Sequence, residues 1–79
     1  MARKSLARDS FGEEIESAFA LLREVPRAGE PVPHGRIPNL RRLLLSRIRY
    51  FLYYSDDEET HTAEVLALWH TSRGQLPRI

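Results

Sequence analysis

Cysteine is absent from this 79-residue chain, which excludes a disulfide framework and a thiolate zinc site and fits a reducing compartment. Lysine occurs once, as Lys4, and eleven arginines carry the rest of the positive charge. No apolar run approaches the ~20 residues needed to cross a bilayer, and the N-terminus lacks the apolar core of a signal peptide. A soluble, cytoplasmic protein is therefore expected. A chain this short buries only roughly 60% of the surface its unfolded form exposes. Without disulfides, oligomerisation or a bound partner is the usual remedy.

What is present is unevenly placed. The formal net charge is only +1, yet five arginines and no acid lie between Pro31 and Ser55. Six acids lie in residues 9–30, and Asp56 to Glu59 adds four more. Arginine favours planar, bidentate contacts with carboxylate or phosphate.

Along the chain, Phe11, Ile15, Ala18, Phe19 and Leu22 recur at helical spacing and predict an amphipathic helix over residues 10–25. Residues 1–9 read as irregular or as an extension of it. Pro26 ends the helix by ring clash and by its missing N–H. Four prolines and two glycines in residues 26–39 predict a stiff loop. Residues 40–70 then change to a period of two. They read as three strands, "LRRLLLS", "IRYFLYYS" and "HTAEVLALWH", joined by a turn at Ser46–Arg47 and by the acidic "DDEE". Such short connections demand antiparallel neighbours. The expected fold is α+β: one helix packed on a three-stranded antiparallel meander, as a single domain with a tail at 74–79.

In the second strand Ile48, Tyr50, Leu52 and Tyr54 share one face, and Arg49, Phe51 and Tyr53 the other. In the third, unbroken alternation groups Leu66 and Leu68 with Thr62, Glu64 and His70. It sets Ala63, Val65, Ala67 and Trp69 opposite them. Both faces are rich in apolar groups, and one helix covers only one of them. An arginine near Glu64 is the expected partner of that mid-strand acid.

The stretch from Leu40 to Arg73, with an "RY-x-L-x-Y" strand, an acidic turn and a closing "A-x-x-H-x-x-R", resembles the C-terminal half of the RelE/ParE family of type II toxins. Upstream, "FGEEIESAFALLREVPRAGEPV" resembles the second helix of that family and its exit. The resemblance covers residues 11–73 and implies helices packed on an antiparallel sheet. The family's usual first strand and first helix are not evident in "MARKSLARDS", so a shortened member is expected.

The resemblance also implies an antitoxin laid into an apolar groove, by helix-in-groove and strand-addition contacts. Arg41, Arg49, Tyr50, Phe51, Tyr53, Tyr54, Trp69 and Arg73 are the candidate antitoxin-binding or target-binding residues, aromatics being the usual anchors. Of the family's two activities, the ParE-like one poisons DNA gyrase by binding it. The RelE-like one cleaves mRNA on the ribosome, with basic residues holding phosphates and a C-terminal histidine or tyrosine moving protons. Here the tail "GQLPRI" offers neither. The catalytic candidates reduce to His70, Arg73 and Arg49, with Arg41 beside them. The expectation is a ParE-like toxin neutralised by a cognate antitoxin, as a homodimer or in a larger toxin–antitoxin assembly. The alternatives are a ribosome-dependent endoribonuclease and an inactive remnant that only binds antitoxin. His34 and His61 have no metal-ligand spacing with another ligand, so no metal and no cofactor is expected.

Overall fold

The computed structural model of the protein describes residues 10–77. The segment 1–9, expected to be irregular or an extension of the helix, lies outside the described residues. The chain runs through helix α1 (Ser10–Glu24) and strands β1 (Glu30–Pro31), β2 (Leu40–Leu45), β3 (Tyr50–Asp57) and β4 (Thr62–His70). The strands form one antiparallel sheet in the order β1-β2-β3-β4. The α+β arrangement of one helix on an antiparallel sheet is the expected one, with one strand more than the sequence predicts.

The added strand lies inside the proline-rich loop. Pro31 can sit there because β1 is an edge, where its missing N–H leaves no ladder bond open. Beyond it the Val32 N–H donates to the Leu40 carbonyl at 2.8 Å. A Glu30–Arg42 ion pair flanks the pairing.

Helix α1 buries Ala18 and Leu22 against Leu45, Leu52 and Tyr54, with Ile15, Leu43, Ile48 and Ala63 packed around them. Phe11 and Phe19, the outer members of the expected stripe, stay substantially exposed. On the opposite face Val32, Leu40 and Tyr53 form a second small core with Ile37, Phe51, Leu66, Ala67 and Trp69. The loop that precedes β2 thus folds back and covers part of the second face with Val32 and Ile37.

The exit of α1 is held by side chains. The last carbonyls of a helix have no partner within it. Just beyond the end of α1, the Tyr54 hydroxyl donates to the Pro26 carbonyl at 2.6 Å and accepts the Gly29 N–H at 2.9 Å. Arg41 donates to the Gly29 carbonyl. Gly29 has to be glycine: a Cβ there would lie 2.7 Å from the Arg42 carbonyl oxygen and 2.8 Å from the Tyr54 hydroxyl.

Both hairpins differ from expectation in the same way. The predicted two-residue turn Ser46–Arg47 is a four-residue loop, 46–49, closed by the Arg49 N–H donating to the Leu45 carbonyl at 2.8 Å. Asp56 and Asp57 of the predicted acidic turn belong to β3, and the β3–β4 loop is residues 58–61. Each loop ends on a residue with positive φ, Arg49 at 64° and His61 at 57°. That left-handed residue redirects the chain into the next strand. Neither is glycine, so the sequence carries no turn signal at either position.

Strand β4 departs from simple alternation. Its partners jump from Tyr53↔Ala67 to Tyr54↔Val65, so Leu66 is an extra residue in a β-bulge. The bulge corrects the expected face assignment. Ala63, Val65, Leu68 and His70 lie on the helix side, whereas Glu64, Leu66, Ala67 and Trp69 lie on the outer side. The assignment in β3 stands, with Leu52 and Tyr54 under the helix and Phe51 and Tyr53 outside.

Candidate functional site

Two surfaces combine exposed apolar groups with fixed polar ones. The first flanks the helix. Because α1 is a single rod about 10–12 Å across, it leaves the sheet open on both sides among the described residues. Toward β4 a groove of about 280 Å³ is lined by Phe19, Leu22, Arg23, Ala63 and Val65. Toward β2 a shallower one of about 150 Å³ includes Glu14, Leu21, Leu43 and Leu45. Phe19, Leu21 and Val65 are each at least 40 % exposed, which makes these flanks costly to leave in water.

The second surface is on the outer face, at the end of the sheet where β4 finishes. The Arg42 guanidinium lies 4.2 Å from the Phe51 ring centroid and that of Arg73 lies 4.7 Å from the Trp69 ring. Attraction of a cation to a ring face holds both in place. Between them a cleft of about 140 Å³ is closed by the tail, through Gly74, Gln75 and Leu76. The Trp69 indole N–H donates to the Gln75 carbonyl at 2.7 Å, which ties the tail down. Arg42 is also committed to Glu30 and, at 3.4 Å, to the Tyr53 hydroxyl. The Tyr53 hydroxyl and then Glu30 raise its pKa further, with burial opposing. Arg73 makes no ion pair among the described residues.

The sequence-derived candidates divide between these places. Phe51, Trp69 and Arg73 meet in the outer cleft. Tyr53 is 1% exposed beneath it, and Tyr54 is fully buried on the other side, so their rings are core in this conformation. Arg41 faces the helix exit, where it donates to the Gly29 and Arg27 carbonyls. Tyr50 stands edge-on between Phe11, at 5.4 Å, and His70, at 5.1 Å.

His70 is turned to the helix side and away from the cleft. Its Nδ1 accepts the Ser72 N–H at 3.0 Å and lies 2.8 Å from the Ser72 hydroxyl. That geometry makes Nδ1 an acceptor and fixes the proton on Nε2 in the neutral ring. Arg49 sits exposed at the same end of the sheet, its carbonyl accepting the Thr71 N–H at 2.9 Å. The opposite end is acidic. There Asp56 is buried and pairs with Arg27 at 3.5 Å, and Glu58 pairs with the same guanidinium. The hydrogen bond that Arg27 donates to Glu58, then the charge of that carboxylate, raise the Arg27 pKa.

Sequence reasoning missed Arg42, the tail residues Gln75 and Leu76, and the exposed flank of Phe19, Leu21 and Val65. Arg42 was detectable in principle, since adjacent strand residues face opposite sides and Arg41 and Arg42 therefore serve different surfaces. The tail carries no periodic signal. Among the described residues no helix is long and apolar enough to cross a membrane.

A family model described as the ParE toxin of the type II toxin-antitoxin system, parDE, matches residues 1–74. No curated protein and no solved structure matches the chain.

Proposed function

The chain belongs to the ParE toxin family of type II toxin–antitoxin systems, and from that premise we propose that it acts by binding other proteins: it poisons DNA gyrase and is neutralised by a cognate antitoxin in the cytoplasm. The observation that carries the reading is the pair of apolar flanks along α1. An amphipathic antitoxin helix or an extended apolar segment would cover Phe19, Leu21 and Val65, which otherwise stay exposed. The site of gyrase contact is the basic end of the sheet, where Arg49 and Arg73 are exposed and free of carboxylate partners among the described residues.

The stacked guanidinium groups of Arg42 and Arg73 on the outer face favour a second reading, an mRNA endoribonuclease of the RelE kind, since arginine and aromatics together hold phosphates and bases. His70 would be its proton carrier. Its Nδ1 is occupied by Ser72 and its ring lies across the sheet from that cleft, which weighs against it.

The test is induced expression in bacteria, alone and together with the gene that neighbours its own. Growth arrest relieved by the neighbour is the expected result. Arrest that the neighbour leaves untouched contradicts the antitoxin half of the proposal.

A further inference from the structure

Among the described residues strand β4 forms an outer edge of the sheet, and it runs for nine residues. Long edge strands expose a ladder of N–H and C=O groups, which proteins ordinarily blunt with charges, prolines or bulges. β4 has one charged carboxylate, Glu64, no proline, and the bulge at Leu66.

The bulge gives the strand an unusual symmetry. Leu66 and Ala67 lie side by side on the outer face. Moving outward from that pair, Val65 and Leu68 are both on the helix side, Glu64 and Trp69 both outside, and Ala63 and His70 both on the helix side again. Directly opposed residues in an antiparallel pair share a face. Against a copy of itself, β4 therefore matches faces throughout in one antiparallel register, with Leu66 opposite Ala67. Every other register that pairs more than five residues opposes at least one helix-side residue to an outer one. A feature that blunts the edge against arbitrary strands selects this one partner.

Charge points the same way. β4 starts at the acidic end of the molecule, beside Glu58 and Glu59, and finishes at the basic end, beside Arg49 and Arg73. Antiparallel pairing sets each acidic end beside a basic one, whereas parallel pairing would oppose like charges. In the face-matched register Glu64 lies opposite Trp69 of the second copy, and the Arg73 guanidinium lies over that ring. Neither Glu64 nor Arg73 has an ion-pair partner among the described residues. On the other face Val65 lies opposite Leu68 of the second copy. Those side chains are 40% and 37% exposed in one chain.

We propose that the protein forms a closed two-fold dimer through β4. The axis passes between Leu66 and Ala67, the two sheets become continuous, and Glu64 pairs with Arg73 of the second copy on each side of the axis. Such an isologous interface satisfies every contact twice and leaves no free edge of β4 for further copies.

The experiment is analytical ultracentrifugation of the purified full chain, which reads mass whether or not the chain is toxic. Twice the mass of one chain at micromolar concentration is expected. Glu64→Arg and Arg73→Glu should each raise the dimer dissociation constant by at least about tenfold, and the double charge reversal should restore it to within about threefold. A single-chain mass overturns the proposal, and so does a dimer indifferent to both reversals. Should a reversal lose the fold, amide exchange of the parent protein decides. Protection of β4 amides that rises with protein concentration supports the interface, and protection independent of concentration overturns it.

Discussion

Replacing Tyr54 by phenylalanine tests the account of how the helix exit is held. The hydroxyl is fully buried, donates to the Pro26 carbonyl and accepts the Gly29 N–H. Its removal leaves a donor and an acceptor without partners in a site that the ring keeps dry. An orphaned buried polar group costs about 1–3 kcal/mol, so the two together should cost about 2–6 kcal/mol. A chain of this length has a total stability of about 4–12 kcal/mol, and the melting temperature should fall by more than about 10 °C. The matched control is Tyr53→Phe. That ring is equally buried, but among the described residues its hydroxyl has only the long 3.4 Å contact from Arg42, and the loss should stay near about 0.5 kcal/mol. The assay is urea unfolding followed by tryptophan fluorescence for both variants. Equal losses at the two positions would refute the assignment of Tyr54 as the clamp.

The same hydroxyl sets a pH dependence. Burial raises the Tyr54 pKa above its ordinary 10, reinforced weakly by Asp56 and opposed by the Gly29 N–H and Arg41. The unfolded chain therefore ionises first. The contribution is complete below about pH 10 and is lost as pH rises through the higher folded value, so urea midpoints should fall above that pH less steeply in Tyr54→Phe than in the parent. Arg49→Gly should raise stability by about 1 kcal/mol in thermal unfolding, because Arg49 is held at a φ of 64° that a Cβ disfavours. Phe19→Asp should lower unfolding stability by about 1–2 kcal/mol and keep the fold, as the ring is 41% exposed and Asp is a poorer helix former. It should weaken antitoxin binding by at least about thirtyfold in calorimetry, the loss typical of a buried aromatic anchor.

The helix was legible because Ile15, Ala18 and Leu22 form a stripe bounded by a proline, and Ala18 and Leu22 are buried as that pattern requires. β3 was legible because polar and apolar groups need not alternate for its parity to hold: Leu52 and Tyr54 go one way, Phe51 and Tyr53 the other. β4 was misread for the complementary reason. Residues 65 to 69 are all apolar, so nothing in the pattern marks where the bulge at Leu66 reverses the faces. β1 was hidden by Pro31, which is incompatible with an inner strand and harmless on an edge. Of the site, Trp69 and Arg73 were singled out separately, while their stacking depends on a turn after β4 that carries no sequence signature. Tyr53 and Tyr54 looked like contact residues because aromatic content does not distinguish core from interface. Their burial follows from the loop carrying Val32 and from the carbonyls beyond α1.

The most direct measurement of the central claim is gyrase supercoiling in vitro with the purified chain, beside an mRNA cleavage assay on translating ribosomes, each with and without the antitoxin. The account predicts that supercoiling is inhibited, that mRNA stays intact, and that the antitoxin restores supercoiling. Intact supercoiling together with ribosome-dependent cleavage that Arg73→Ala abolishes would contradict it.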